Sequence, residues 1–484
     1  MANIVLVTKG TNGDLFPFLG IGKALKARGH DVVVVTNWYG EQEVSKAGLD
    51  FVALDNPDEV PSYEEQTTLD GLSAPADELM LVGSHTAAPH ASGGDAGEGA
   101  RRLSVFGMPL KRGLLEYEAI SGQCRRAEKK DTVLVVNYVA FFSARHVADA
   151  LGLPVAAVFI APSMFPQWVL DLSFFDELYT HVGGDLNRIR AEVGLPPVRD
   201  WRAWLLDADR MLGLWAGWFA PEGFGAGREV TPIGFPSDPV APGEVPAEVA
   251  RDFDPADPPL LITHGTSIPA KSDFFAAAAE ACRLAGVPAL LVCKHERLIP
   301  SELPERVKWH RYVPFGRLMP HVRGIIHHGG IGTCGQALAA GIPQLVLALG
   351  YDRADNAARL QSLGVAEALT PLQWRAEVLA DSLRRLLGGE DVRRRCAEYA
   401  RALRGSDFGA AGADAIEELA ADRTRRRAGV GTSAEVAEVE AAAAPRTKRE
   451  SGDLQSLLDK LSPAGRELLR QRLKGRLGAD SRGK

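Results

Sequence analysis

The stretch IIHHGGIGTCGQALAAG, Ile325–Gly341, decides the fold. A run rich in β-branched residues enters a glycine-rich turn, and an alanine-rich segment that favours a helix leaves it. A strand, a tight turn and a helix in this order bring free backbone N–H groups and the positive end of a helix dipole to one point. Such a point attracts anions, and the stretch therefore predicts a diphosphate site.

The residues of the turn are expected to divide the work of holding a diphosphate. Gly330 and Gly332 have no Cβ to keep phosphate oxygens from the backbone amides, and Thr333 supplies a hydroxyl donor. His328, at the end of the strand, can add a donor or a charge as the diphosphate leaves. Neighbours on a strand point to opposite faces, so we expect local hydrogen bonds to satisfy His327 instead.

Two alternatives for this turn stay open. The range 330–335 matches GxGxxG and Asp352 follows the next strand, a pattern typical of dinucleotide binding, although that pattern usually opens its domain and here follows at least three strand-like runs. A metal site is the weaker alternative, because His327 and His328 cannot easily share one ion. The triplet Asp207–Asp209 is too short and isolated to indicate a metal site. We predict neither a metal nor another cofactor.

Outside the turn, β-branched runs alternate with amphipathic segments along most of the chain. The predicted helices are Leu19–Ala27, Ala144–Leu151, Phe274–Ala285 and Gly335–Ala340. The predicted strands are NIVLVT, DVVVVT, DTVLVVN and PVAAVFI, then PLLITHGT, PALLVCK, VKWHRYV, GIIHH and PQLVLAL. Continuous apolar strands separated by helices predict parallel sheets that are covered on both faces. The fold class is therefore α/β, with two tandem doubly wound Rossmann-like domains facing a cleft.

Changes in composition divide the chain. The predicted parts are an N-terminal acceptor-binding domain at 1–231, a proline-rich interdomain linker at 232–258, a C-terminal nucleotide-sugar-binding domain at 259–421, a flexible tether at 422–450 and a helical tail at 451–484. The polar segment from about Asp70 to Arg112 predicts a long loop. Leucines recur at helical spacing in the tail, so its apolar stripe is expected to contact a partner protein, a second copy of the chain or the chain itself.

The totals exclude several classes of function. At 484 residues the chain suits two domains, and a formal charge of -7 offers no basic surface for nucleic acid. Its five cysteines are scattered and never form CxxC, which favours a reducing compartment. The N-terminus MANIVLVTKG has no signal-peptide pattern, and no run reaches the length of a membrane span. We therefore expect a cytoplasmic protein that does not cross a membrane.

Three stretches resemble one protein family. The stretch HHGGIGTCGQALAAGIPQLVLALGYDRADNAARLQSLGVA, 327–366, closely resembles the donor-binding motif of the inverting nucleotide-sugar glycosyltransferases of the GT-B fold, which include natural-product, sterol and plant secondary-metabolite enzymes. The opening GTNGDLFPFLGIGKALKARGHDVVVVT, 10–36, looks like the first strand, loop and helix of that group, and LNRIRAEVGLPPV, 186–198, is similar as well. The resemblance covers about residues 1–420. It implies transfer of a sugar from a UDP- or dTDP-sugar to a hydroxyl of a small apolar acceptor.

The resemblance also implies roles for individual residues. Asp14 matches the catalytic base, which takes the proton from the acceptor hydroxyl while its oxygen attacks the anomeric carbon opposite the leaving diphosphate. The competing role for Asp14 is to cap the helix that follows. The implied donor contacts are Asn12, Gly13, Thr266, Ser267, Tyr312, Val313, Phe315, His328, Gly330, Gly332, Thr333, Gln336, Asp352 and Arg353. The aromatic residues expected to shape the acceptor pocket are Phe141, Phe142, Phe165 and Trp168.

Within the donor set, the segment 312–315 is expected to receive the nucleobase, with core packing as the alternative. Gln336 stands where many relatives have a glutamate that binds the ribose, and Asp352 with Arg353 replaces an acidic residue followed by glutamine that grips the sugar. These departures leave the ribose preference and the sugar open. The rival functions are a nucleotide-sugar epimerase on the same fold, an NAD-dependent oxidoreductase and a non-catalytic scaffold that uses the C-terminal helices.

Overall fold

The computed structural model describes residues 1–57, 110–126, 131–137, 140–164, 183–200, 204, 207–220, 230–236, 244–265, 273–349 and 352–429. Residues 1–424 form one compact unit that holds both sheets, and residues 425–484 form a second unit. Most of the predicted long loop, of the tether and the whole helical tail lie outside the described residues.

The first half of the chain forms one parallel sheet. Its strands are β1 (Asn3–Val7), β2 (Asp31–Thr36), β3 (Asp50–Ala53), β4 (Thr132–Asn137), β5 (Val155–Phe159), β6 (Arg210–Gly213) and β7 (Thr231–Pro232). The helices between them are α1 (Asn12–Ala27), α2 (Glu41–Lys46), α3 (Leu110–Arg125) and α4 (Phe141–Leu151). The strand order is β3-β2-β1-β4-β5-β6-β7, and every pair is parallel. All residues of β1, β4 and β5 are buried, as continuous apolar runs predict for a sheet covered on both faces.

The second half repeats the plan. Its strands are β8 (Leu260–Thr263), β9 (Ala289–Val292), β10 (Val307–His310), β11 (Gly324–His327), β12 (Gln344–Leu347) and β13 (Ala366–Leu369). Its helices are α5 (Ala247–Ala250), α6 (Phe274–Ala285), α7 (Phe315–Leu318), α8 (Ile331–Ala340), α9 (Arg353–Ser362), α10 (Ala376–Gly388), α11 (Glu390–Ala402) and α12 (Phe408–Gly429). The parallel order is β10-β9-β8-β11-β12-β13. The predicted fold class, α/β with two tandem doubly wound sheets, is confirmed.

Each sheet reverses its winding at one point, and ligands of such sheets bind at the strand ends there. The first sheet reverses between β1 and β4, beside the first turn of α1, which carries Asp14. The second reverses between β8 and β11, beside Gly265 and the turn after His327. The two switch points thus coincide with the two regions that the sequence analysis predicts to be functional, around Asp14 and after His327.

Several helices begin earlier than the sequence predicts. α1 begins at Asn12 and not at Leu19, with Pro17 inside it, and α8 begins at Ile331 and not at Gly335. Glycine, asparagine and proline lower the intrinsic helix propensity of these first turns, and the strand ends that fix the turns outweigh it. The linker predicted to be irregular contains the one-turn helix Ala247–Ala250.

The last described helix, α12, returns to the first sheet. The Phe408 ring covers Gly20 of α1 so closely that a Cβ there would lie 2.4 Å from the ring. Arg28, at the end of α1, donates hydrogen bonds of 2.6 Å to Asp414 and 2.8 Å to Glu417. The sequence grouped 408–421 with the second domain and began a flexible tether at 422, whereas α12 packs on α1 and continues to Gly429.

The described helices include none that combines the length and the apolar character needed to span a bilayer. The Asp207–Asp209 triplet has a structural use: Arg145 donates a 2.6 Å hydrogen bond to the Asp207 carboxylate, and Asp209 accepts one of 2.9 Å from the Val155 amide. Both end aspartates of the triplet are therefore bound by protein groups, Asp207 by α4 and Asp209 by the first residue of β5.

Candidate active site

Asp14 lies in the first turn of α1, at the switch point of the first sheet. Thr11 is the N-cap of the helix and Asp14 is its third residue, so Asp14 is not the N-cap itself but helps to cap the helix from the third position, as the sequence-based alternative expects in part. Asp14 Oδ2 accepts hydrogen bonds from the Thr11 amide (2.9 Å) and the Thr11 hydroxyl (3.1 Å), which completes a capping box. Both bonds go to Oδ2, so the capping box leaves Oδ1 for another partner.

The loop before Asp14 is anchored by side chains from neighbouring strand ends. Gly10 donates its N–H to Asn37 (3.0 Å), and its carbonyl accepts a hydrogen bond from the Tyr39 hydroxyl (3.1 Å). Asn137 donates to the Lys9 carbonyl (3.1 Å). Gly10 has a φ of 115°, and a Cβ there would lie 2.5 Å from Asp14 Oδ2. Only glycine fits both this backbone angle and this close approach.

The environment of Asp14 shifts its acidity. The residue is only 9% exposed, and burial raises the pKa of its carboxyl to about 6, although the Thr11 hydrogen bonds act in the opposite direction. The charge of Asp352, which begins α9 on the second sheet, raises this pKa further. Asp14 and Asp352 therefore lie close enough to interact electrostatically. A carboxyl with a pKa near neutrality is well matched to accepting and releasing a proton.

The turn between β11 and α8 leaves a helix N-terminus without a side-chain cap. Gly330 occupies the N-cap position and makes no capping side-chain bond, and Thr333 is buried in the first turn. The first N–H groups of an α-helix have no partner within the helix. Backbone donors and the helix dipole therefore converge on the switch point of the second sheet, as the sequence predicts for an anion site.

The His328 imidazole is enclosed by two glycines. A Cβ on Gly330 would lie 2.4 Å from His328 Nε2, and one on Gly265 would lie 2.7 Å from its Cε1. His264 stacks on the ring with 4.8 Å between centroids. Nδ1 of His328 is buried and has no hydrogen-bond partner in the part of the chain that the structure describes. Gly330 must therefore lack a Cβ because the His328 ring lies against it. The sequence analysis attributed this requirement only to the approach of a phosphate.

His328 is a neutral imidazole in this environment. Burial lowers its pKa well below the ordinary value, and the nearby charge of Arg353 lowers it further. His327 behaves as the sequence predicts: its Nδ1 accepts from the Gly329 amide (3.1 Å), so its Nε2 donates to Gln344 (3.0 Å). Burial lowers the pKa of His327 to about 4. The prediction of local hydrogen bonds for His327 is confirmed.

Asp352 stands at the start of α9 beside the same turn. Asn356, one helical turn later, donates hydrogen bonds to Asp352 Oδ2 (2.7 Å) and to the Gly329 carbonyl (3.0 Å). Burial raises the pKa of Asp352, whereas Arg353 and the Asn356 bond act to lower it. The neighbouring Arg353 donates to the Leu349 carbonyl at 3.3 Å.

The remaining predicted site residues differ in their exposure to solvent. Tyr312 is 77% exposed, as a stacking platform requires, whereas the Val313 side chain is buried in the core, so only its backbone is available to a ligand. Phe142 packs in the core against Trp204, with 6.4 Å between ring centroids, which argues against its predicted place in an acceptor pocket. Gly13 is exposed, and the partly accessible residues are Asn12, Phe315, Gln336 and Arg353. Thr266, Ser267, Phe165, Trp168 and the side chain of Phe141 lie outside the described parts.

Four residues that shape these sites were not predicted from the sequence: Gly10, Thr11, His264 and Asn356. The pattern Thr11-x-x-Asp14 before a helix matches a capping box and was readable. Asn356 follows Asp352 at the i,i+4 spacing of helix neighbours, which was also readable once a helix began there. The stacking of His264 on His328 and the hydrogen bonds of Gly10 to Asn37 and Tyr39 join residues distant in sequence, so no local pattern predicts them.

Comparisons with known families agree with this geometry. Residues 285–406 match the family described as Erythromycin biosynthesis protein CIII-like, C-terminal domain, and residues 4–78 match the Glycosyltransferase family 28 N-terminal domain. The chain is 32% identical to the aclacinomycin-T 2-deoxy-L-fucose transferase of Streptomyces galilaeus over 30% of this chain and 34% of that protein, so this match spans about a third of the relative.

A second relative and a solved structure align over most of their length. The O-mycaminosyltylonolide 6-deoxyallosyltransferase of Streptomyces fradiae is 27% identical over 79% of this chain and 89% of that protein. The structure of the glycosyltransferase VinC in complex with dTDP has a TM-score of 0.58 at 18% identity and covers 87% of this chain and 100% of that one. The shared fold is GT-B. The matched domain models, the relatives and the structural neighbours together support a nucleotide-sugar glycosyltransferase of the natural-product type.

Proposed function

We propose that the protein transfers a sugar from a dTDP- or UDP-sugar to a hydroxyl of a small apolar acceptor, with inversion at the anomeric carbon. The observation that carries this proposal is the buried Asp14 carboxyl, whose raised pKa of about 6 suits a base. The charge of Asp352, which we assign to the donor site, contributes to that raised pKa. The names of the two relatives above describe transfer of deoxysugars, and the VinC complex contains dTDP. Both favour a dTDP-deoxysugar as the donor.

The reaction divides between the two sheets. The acceptor O–H proton passes to Asp14, the acceptor oxygen forms a bond to the anomeric carbon, and the bond from that carbon to the diphosphate oxygen breaks. Thr11 holds Asp14 Oδ2, so Oδ1 is the oxygen that takes the proton. Asn12 and Gly13, in the same first turn, are assigned to the donor in this proposal.

The departing diphosphate gains charge on its oxygens. The amides around Gly330 and Gly332, the Thr333 hydroxyl and the α8 dipole stabilise that charge, and neutral His328 donates an N–H. Since fixed donors and dipoles supply the stabilisation, the proposed mechanism requires no metal ion. Gln336 and the segment 312–315 complete the donor site, where they bind the ribose and the base.

Nucleotide binding tests the donor site. The Tm of the purified protein is expected to rise when dTDP or UDP is added. A ligand at 100 to 1,000 times its Kd stabilises the folded state by about 2 to 4 kcal/mol. The same rise is expected in EDTA and in magnesium. A rise with NAD alone would instead support the oxidoreductase alternative, which neither the comparisons nor the buried His328 favours.

The pH profile of transfer tests the role of Asp14. The base must be ionised, so kcat is expected to rise with pH below about 6 and to level off above it. Asp352→Asn removes the negative charge that raises the pKa of Asp14, so the acidic limb is expected to move to lower pH even where kcat falls. An acidic limb that stays in place, or moves to higher pH, in Asp352→Asn contradicts the interaction between the two carboxylates.

A further inference from the structure

Asn356 connects two parts of the proposed donor site through a single side chain. It is fully buried in α9, and its Nδ2 donates both to the Gly329 carbonyl (3.0 Å) and to Asp352 Oδ2 (2.7 Å). An amide nitrogen carries two N–H groups, so these bonds use its whole donor capacity. No other side chain type of this size supplies two donors without a charge.

The Gly329 peptide that Asn356 binds is constrained on its other side as well. Its N–H donates to His327 Nδ1 (3.1 Å), and its φ is 91°. A Cβ on Gly329 would lie 3.0 Å from Val346 and 3.1 Å from the Arg353 carbonyl. The turn that leads into Gly330 is therefore fixed by His327 through the N–H and by Asn356 through the carbonyl.

We propose that Asn356 is a positioning residue for the donor, which holds the diphosphate turn and the sugar-facing Asp352 in one fixed register. This inference rests on the proposed function, because it presupposes that the turn binds the diphosphate and that Asp352 binds the sugar. A loss of Asn356 then weakens the binding of the whole nucleotide-sugar, although Asn356 itself contacts neither half.

The local charges give Asn356 a second effect. Burial raises the pKa of Asp352, and the hydrogen bond from Asn356 is one of the groups that lower it. A carboxylate in place of the amide would remove both donors and set a second negative charge beside Asp352. Two carboxylates at this distance share a proton as the pH falls, and the shared proton restores one hydrogen bond between them.

The test is calorimetric titration of the full chain with dTDP and with dTDP-glucose, at pH 8 and pH 5.5. Three variants are compared with the wild type: Asn356→Ala, Asn356→Asp and the control Asn187→Ala. Asn187 bridges the Val198 backbone through both its amide atoms, far along the chain from the donor motif. Asn187→Ala therefore removes a comparable bridging amide without touching the donor site.

Asn356→Ala is expected to weaken both ligands at least about 10-fold, the size that one lost hydrogen bond produces. Asn356→Asp is expected to lose more than Asn356→Ala at pH 8 and to recover several-fold, relative to the wild type, at pH 5.5. Asn187→Ala is expected to bind both ligands as the wild type does. Should Asn356→Ala fail to fold, the nearly isosteric Asn356→Asp carries the test through its pH dependence.

The possible outcomes distinguish a failure of the role assigned to Asn356 from a failure of the proposed function. Wild-type binding of dTDP with unchanged binding by both Asn356 variants overturns the inference and leaves the proposed function intact. An Asn356→Asp affinity that does not change with pH relative to the wild type overturns the coupling between Asn356 and Asp352. A wild type that binds neither dTDP nor dTDP-glucose overturns the donor site and this inference together.

Discussion

Asp14→Asn is expected to lower kcat by about 100- to 10,000-fold, the usual contribution of a general base. The amide keeps an oxygen that accepts the Thr11 hydrogen bonds, so α1 and its capping box are expected to stay intact. An amide cannot take the acceptor proton at any accessible pH. Donor binding, measured by titration with dTDP, is expected to change little, since Asp14 acts on the acceptor.

The same substitution is expected to stabilise the fold. The pKa of Asp14 is about 6 in the folded chain and 3.8 without burial, so the folded state disfavours the ionised form. This cost to the free energy of unfolding is absent below pH 3.8, grows between pH 3.8 and pH 6, and is complete above pH 6. A carboxylate usually has the opposite effect, since its contribution to stability normally increases with pH. Asp14→Asn is therefore expected to gain about 1 to 3 kcal/mol in free energy of unfolding at pH 8.

Urea unfolding at pH 8 checks this gain, and Asp50→Asn is the matched control. The Asp50 side chain is 80% exposed, so its substitution is expected to change stability by less than about 0.5 kcal/mol. Equal stability of Asp14→Asn and the wild type would show that the carboxylate is not strained by burial. Retained transfer by Asp14→Asn would show that another group is the base.

Gly330→Ala is expected to abolish donor binding, with a loss of at least about 100-fold in dTDP affinity, equivalent to about 3 kcal/mol. The new methyl would lie 2.4 Å from His328 Nε2, so the imidazole must leave the space between Gly265 and Gly330. Displacement of a tightly packed ring is also expected to cost about 1 to 3 kcal/mol of stability.

Two further glycines separate the causes of this loss. Among the described residues outside its own helix, the nearest atom to a Cβ on Gly332 is the Pro236 carbonyl oxygen at 3.9 Å. Gly332→Ala is therefore expected to fold normally and to weaken only the binding of the diphosphate. Gly122 lies within α3, and no atom of another described element lies within 4 Å of the added methyl, so Gly122→Ala is expected to bind dTDP normally and to gain about 0.5 to 1 kcal/mol. Normal dTDP binding by Gly330→Ala would contradict the role of the enclosed His328.

The main elements of the fold were predictable because their residues favour the same structure locally and globally. β1, β4, β5 and β8 are continuous apolar runs, and only a sheet covered on both faces buries such runs. The weaker strands β3, β6, β7 and β13 were missed. Arg210 begins β6 and β7 consists of Thr231–Pro232, so neither carries an apolar run that announces a strand. Both β6 and β7 adopt a strand conformation because they pair with a neighbouring strand of the sheet.

The candidate site was predictable where chemistry follows from local order along the chain. The strand, turn and helix around Gly330 and the helix start at Asp14 are local features. The enclosure of His328 by Gly265, the interaction of Asp14 with Asp352 and the return of α12 to α1 join residues far apart in sequence. Neither hydrophobic periodicity nor motif spacing predicts contacts between such distant residues, so these contacts could be identified only in the structure.

The stereochemistry of the product tests the central claim most directly. The protein would be incubated at pH 8 with α-configured dTDP-glucose and a panel of apolar, hydroxyl-bearing acceptors, and the anomeric proton of the glycoside formed would be examined by NMR. A single base opposite the leaving diphosphate predicts a β-glycoside, with the large coupling of two axial protons, and predicts that Asp14→Asn forms none. An α-glycoside, or a β-glycoside formed equally well by Asp14→Asn, would contradict the account.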